Sequence, residues 1–252
     1  MAIKQVIDSG IPFSTSVMFA CPWYQEAVAI LKENPQVGVG IHLTLNSEWQ
    51  NYKWGPILGT EGVPSLVDSC GYFFPSRGAL FANNPIYEEI EKELRAQINR
   101  AMSSGIRIDY LDYHMGAAVQ TPELRKLVES LANEYGLGMS GYFNEQYSSI
   151  TYGASLGTKT DSLLNHVRNL SAGVNLQVFH VGLDNDEMRA LKDMNSFGLK
   201  NMSAHRQQEL NSILSPQLLE NIKEKNIIPI TYKDLIMRIG LENMYRPVDS
   251  EY

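Results

Sequence analysis

From one end of the chain to the other, stretches with a hydrophobic repeat of two residues alternate with stretches that repeat every three or four. "FSTSVMF" (13–19) alternates apolar with polar, and "VGVGIHLTL" (37–45) reads as a second strand. Between them "CPWYQEAVAILKEN" sets Ala27, Val28, Ile30 and Leu31 at helical spacing. "NPIYEEIEKELRAQINRAMSSG" predicts a helix capped by Asn84, with Pro85 in its first turn, a stripe of Ile86, Ile90, Leu94 and Ile98, and Gly105 as its stop. The strand "IRIDYLDYH" follows, and "TPELRKLVESLANEYG" repeats the order of cap, proline, stripe and glycine from Thr121 to Gly136. Beyond it come "GLGMSGYF", a helix near 160–171, "NLQVFHVGL", helical stretches between about 186 and 225, and "IIPITY" ahead of a last helix near Lys233.

Strand, helix, strand in this order makes successive strands parallel, with crossover helices on the faces. The expected class is therefore α/β. With 252 residues, 44% of them apolar, and neither an internal repeat nor a long linker, residues 1–252 are expected to form one domain. About six strands are expected, and residues 1–9 read as a helix with no strand before it. A closed barrel of this type usually needs seven or eight strands. Either the sheet is open, or a first strand has been lost ahead of Met1. The irregular stretch 46–83, rich in Trp, Tyr, Gly and Pro, is expected to carry function or cover a site.

A net charge of -7 without any Lys/Arg-rich run argues against nucleic acid or an anionic membrane surface as partner. No stretch approaches the ~20 apolar residues of a membrane span. "MAIKQVIDSG" lacks the build of a secretory signal, so the chain as given reads as cytoplasmic, with export expected only if a signal segment lies upstream. Cys21 and Cys70 form no C-x-x-C pair, which argues against a thiolate zinc site or a disulfide framework.

The chemistry points to histidine. Of five, His42 lies late in "VGVGIHLTL", His114 closes "IDYLDYH" and His180 falls near the end of "LQVFH". In parallel α/β folds the carboxyl ends of the strands form the face where ligands gather. Two imidazoles and a carboxylate make a suitable set for a divalent cation with positions left for water and substrate. Asp112, two residues before His114, projects to the same face and can ligate or supply a supporting hydrogen bond. Taken alone, each of these histidines is more often a satisfied polar group than a ligand. His166 and His205 read as structural or surface residues. Glu48 and Trp49 can line a sugar site or pack on the core rim; Arg206 can pair with a catalytic carboxylate or with a surface charge. Glu93 and Gln97, one turn apart, read as a solvated or helix-packing face.

With these residues in place the sequence resembles the YdjC-like carbohydrate deacetylase family, which includes the chitooligosaccharide deacetylases. "VGVGIHLTL" is similar to its Gly-x-His-Leu-x-Leu strand, "IDYLDYHMG" to its Asp-x-His motif, and "GIPFSTSVM", "SLVDSCGYFF", "EIEKELRAQI", "VFHVG" and "IIPITYKDL" to further segments in the same order. The resemblance implies a distorted TIM-like (β/α) barrel and a divalent ion, Mg²⁺ or Zn²⁺, held by His42 and His114. Asp112 would support the site, and His180 would be the acid for the departing amine. The implied reaction removes N-acetyl groups from an amino sugar or oligosaccharide. Family members open with a strand carrying an Asp-Asp motif that supplies a third ligand and the general base. Its lack here implies that the barrel misses its first strand, that metal binds weakly, and that deacetylation is poor or absent. Met115 and Gly116 replace a histidine-rich run, and Val181 a proline. Two rival expectations are a non-catalytic carbohydrate-binding protein on the same scaffold and hydrolysis of some other amide or ester. A homodimer is a further expectation.

Overall fold

The computed structural model describes residues 1–247. Helix α1 (Ala2–Asp8) leads into β1 (Ser14–Val17), and α2 (Tyr24–Lys32) crosses to β2 (Gly38–Leu43). The long connection that follows holds the short helices α3 (Gly59–Gly62) and α4 (Arg77–Ala82) before α5 (Tyr87–Met102) returns to β3 (Tyr110–Tyr113). Helix α6 (Pro122–Tyr135) then leads to β4 (Gly138–Met139). These four strands form one sheet in the order β1-β2-β3-β4, each pair parallel. Strands β5 (Gln146–Ser148) and β6 (Asn175–Gln177) form a separate parallel pair, with α7 (Ile150–Gly153) and α8 (Lys159–Arg168) between them. Helices α9 (Asp186–Ala190), α10 (Met202–Ile213), α11 (Pro216–Glu224) and α12 (Tyr232–Ile239) follow. The α/β class with parallel strands is thus observed, with the paired strands in two sheets of four and two.

β2 runs through the middle of the core, where Ile41, Leu43, Leu94, Ile98, Leu111 and Val128 are fully buried between the sheet and helices α5 and α6. Gly40 has a steric task there. Opposite it in the ladder stands Tyr110, whose ring carbon Cζ lies 2.5 Å from where a Cβ on Gly40 would be. The ring cannot retreat easily, because it stacks on Tyr232 with centroids 4.1 Å apart and Tyr232 is in turn bonded to Glu145 at 2.8 Å. Gly40→Ala is accordingly expected to cost about 1–3 kcal/mol by overpacking, read as a lower denaturant midpoint.

Helix α6 matches its expected grammar: the Thr121 hydroxyl accepts from Leu124 N–H, and Gly136 ends it in the left-handed region at φ 66°. Helix α5 departs from its expected start. Asn84 is left-handed at φ 53° and caps nothing; the Ile86 N–H donates instead to the Ser65 hydroxyl, and the helix begins at Tyr87. "IIPITY" was expected as a strand, yet 227–231 joins no ladder among the described residues. Pro229 has no N–H to donate, and this segment is tied to the sheet through the Tyr232 N–H, which donates to the Ser14 hydroxyl at 2.8 Å. No helix among the described residues is long and apolar enough to cross a membrane.

Candidate functional site

The parallel register sets His42 directly opposite Asp112 on neighbouring strands. Their contact follows from it: His42 Nδ1 and Asp112 Oδ1 are 2.6 Å apart. The other oxygen of Asp112 accepts from the Ser16 hydroxyl of β1 at 2.7 Å, so three adjacent strands lock one carboxylate. Asp112 therefore bonds to the histidine across the ladder, and both of its oxygens are engaged in positioning. Past His114 the backbone turns left-handed at Met115 (φ 50°) and Gly116 (φ 71°), which takes the chain off the sheet and leaves the imidazole at its edge. His114 Nε2 lies 2.8 Å from Glu48 Oε2, and Trp54 packs edgewise on its ring, centroids 6.0 Å apart. Both partners come from the long connection after β2, so that segment does cover and furnish the site.

His42 and His114 face each other with ring centroids 5.3 Å apart, and His42 Nε2 is 3.3 Å from His114 Nδ1. The outer nitrogens, His42 Nδ1 and His114 Nε2, are directed at carboxylates. When each neutral ring donates its N–H outward, two lone pairs meet across the inner gap, and only a proton or a cation between them relieves the repulsion. Two nitrogens each about 2.0–2.1 Å from one ion at a tetrahedral angle lie roughly 3.3–3.4 Å apart. Carboxylates behind metal-binding imidazoles are a common supporting pattern. The donor chemistry thus fits a two-nitrogen cation site. Among the described residues no group of three or more His, Cys, Asp or Glu side chains is arranged to hold a metal ion, so other coordination positions would fall to water or substrate.

Electrostatics follow the same contacts. Burial works against a charged His42, but the Asp112 carboxylate outweighs it and the net direction is upward. Burial raises the Glu48 carboxyl, but the hydrogen bond and charge of His114, a backbone hydrogen bond and the Arg206 charge together hold it below the ordinary carboxylate range. His180 lines the same cavity with 43% of its side chain open to solvent, and its pKa is pushed down to about 3, first by desolvation between the cavity walls and then by the Arg206 charge. Its backbone N–H donates to Glu209, and its ring packs against Tyr152 with centroids 5.0 Å apart. With its pKa pushed down to about 3, the ring stays neutral at neutral pH and holds a proton only weakly.

Two expected sugar contacts line the same cavity but are largely covered. Glu48 is buried and bonded to His114, and Trp49 packs into the rim of the main core. Among the described residues Arg206 forms no surface ion pair: its guanidinium lies over the Trp49 ring at 5.5 Å, half-buried in the cavity wall with Nε unpaired. Glu93 and Gln97 are fully buried and tie α5 to the chain just past β2.

Residues 1–224 match the family described as YdjC-like protein. The chain belongs to the YdjC-like family. Two carbohydrate deacetylases, from Thermoanaerobacter pseudethanolicus and Enterococcus faecalis, are 26% and 27% identical to it, over 92% and 90% of this chain and 92% and 89% of theirs. A carbohydrate deacetylase from Brevibacillus brevis is 33% identical over 54% of this chain and 50% of its own length. A solved structure from Enterococcus faecalis, described as a "putative cellobiose-phosphate cleavage protein", superposes with a TM-score of 0.75 at 24% identity, covering 93% of both chains, and shares the fold. In this YdjC-like chain Ser16 was missed by sequence reasoning. The alternation of "FSTSVMF" set Ser16 among the polar positions of β1, but only the register shows which carboxylate it meets.

Proposed function

We propose that this chain carries a divalent-cation-dependent carbohydrate deacetylase site that cleaves N-acetyl groups from amino sugars or chitooligosaccharides. The carrying observation is the pair of facing nitrogens, His42 Nε2 and His114 Nδ1, 3.3 Å apart and each backed by its own carboxylate. The names of the relatives supply the substrate class. His42 and His114 would hold the cation, Mg²⁺ or Zn²⁺, with Asp112, Ser16 and Glu48 fixing the ring orientations. When bound, such an ion polarises an acyl oxygen and lowers the pKa of water. In this reading His180, on the cavity wall, would be the acid that gives the departing amine its proton. In this reading the two parallel sheets are arcs of an incomplete (β/α) barrel around the cavity.

The test is acetate release from N-acetylglucosamine oligomers with and without added Zn²⁺ or Mg²⁺. Slow release that requires the cation is expected, because only two protein ligands are in place among the described residues. The same shortage favours a second reading, a binding protein without turnover. Saccharide binding by calorimetry with no acetate formed at any cation concentration would decide for it.

A further inference from the structure

Past Val178 the stretch that carries His180 joins no ladder among the described residues: β6 ends at Gln177 and α9 starts at Asp186. Helix α10 takes its alternate amides instead. His180 N–H donates to the Glu209 carboxylate, Gly182 N–H to Arg206 O at 3.2 Å, and Asp184 N–H to Gln207 Oε1 at 3.0 Å. The second and third of these bonds hold backbone and nothing else. Glu209 differs, because the oxygen that takes the amide, Oε2, also lies 3.9 Å from Nδ1 of the His180 ring. A carboxylate is a costly choice for an amide anchor alone. Glu209 is 2% exposed, and its other oxygen, Oε1, lacks a well-formed hydrogen bond, with only the Thr151 hydroxyl in range. Burying a charged group with spare acceptor capacity costs free energy that a neutral acceptor would not. Burial raises this carboxyl, and the charges of Lys159 and Arg206 work against that. Lys159, itself buried, donates to the carbonyls of Thr151 and Tyr152, which fixes the α7 side of the His180 ring as Glu209 fixes the α10 side.

The two nitrogens of an imidazole divide their work: the bond made by one sets which form the other presents. Hydrogen bonds of this kind are often long without substrate and tighten when it binds. A carboxylate beside Nδ1 also favours the charged ring. It opposes desolvation and the charges of Arg206, His42 and His114, which push the His180 proton off, and acts in the same direction as Asp112. We propose that Glu209 is a positioning residue for His180: a small rotation of the imidazole closes the 3.9 Å gap, Nδ1–H donates to the carboxylate, and Nε2 is left as the nitrogen that gives its proton to the departing amine. This rests on the deacetylase reading, in which His180 is the acid.

Nitrogen NMR of the imidazole rings at neutral pH, with His180 identified by its loss in His180→Asn, reads the tautomer without relying on turnover. The wild type is expected to carry the ring proton on Nδ1. In Glu209→Gln, whose neutral amide can still accept the His180 N–H, the balance is expected to swing toward Nε2–H. Gln207→Ala loosens the same stretch through Asp184 and is expected to keep the Nδ1–H form. In acetate release with added Zn²⁺, Glu209→Gln is expected to lose about 10–100-fold in kcat, part of the roughly 10²–10⁴ that a positioned proton donor contributes, with KM within about twofold. A wild-type ring protonated on Nε2 overturns the pairing even where a variant fails to fold. So does a tautomer or a kcat that Glu209→Gln leaves unchanged, or a swing in Gln207→Ala as large as in Glu209→Gln, which would make Glu209 a backbone anchor only. No acetate from the wild type at any cation concentration, with the Nδ1–H form present and lost in Glu209→Gln, upholds the pairing and removes the deacetylase reading alone.

Discussion

Alanine at His42 or at His114 is expected to lower divalent-cation affinity by more than about a hundredfold and to bring acetate release to background. Each substitution removes one of only two facing nitrogens and strands the carboxylate behind it: Asp112 loses His42, and Glu48 loses His114. Glu48 shows the second cost most plainly. Burial alone would raise its carboxyl, and the hydrogen bond from His114 is the largest effect opposing that, so His114→Ala also pushes Glu48 toward its neutral form. Asp112→Ala keeps both nitrogens and removes only the support behind His42, so about 10–100-fold is expected there. Competition against a chromophoric chelator measures the affinities without relying on turnover. Equal cation binding by the wild type and both histidine variants would sink the two-nitrogen site.

What the sequence disclosed was what local pattern can carry. The cap and stop of α6 are written in Thr121, Pro122 and Gly136, and the strand ends that bring His42 and His114 to one edge follow from a period of two. What stayed hidden depends on pairing between distant segments. That Asp112 serves His42 is a consequence of register, since a slip of one residue would turn it to the opposite face, and no single strand states its register. Trp49 was open in the sequence to a sugar-lining or a core-rim reading, and only the fold shows it packed under Arg206. Pro229 did carry a signal: a residue without an N–H argues against a paired strand at "IIPITY".

The face of α5 that carries Glu93 and Gln97 gives the largest expected loss of stability. Gln97 serves both backbone groups of Thr44: its Oε1 accepts the Thr44 N–H at 2.9 Å, and its Nε2 donates to the Thr44 carbonyl at 2.7 Å. The same Nε2 reaches Glu93 Oε1 at 2.9 Å, and Glu93 also accepts the amides of Ile57 and Leu58. All of Thr44, Glu93 and Gln97 are sealed from solvent. Gln97→Leu fits the volume but leaves a buried donor and a buried acceptor on Thr44 without partners. At about 1–3 kcal/mol for each orphaned group, the loss should reach roughly 3–5 kcal/mol, in the range that marks a broken buried network. The site would feel it too, because Thr44 stands two residues past His42 and its hydroxyl donates to the His42 carbonyl at 2.6 Å. Gln97→Glu restores the acceptor and not the donor, and sets a second carboxylate beside Glu93, whose own carboxyl burial already raises. Its deficit should therefore deepen as pH rises through the carboxylate range, and more steeply than that of Gln97→Leu, which removes a hydrogen bond holding the Glu93 carboxyl down but adds no second carboxylate. Denaturant midpoints of the two variants across that range give the comparison, and a loss below about 1 kcal/mol for Gln97→Leu would show that Thr44 finds other partners.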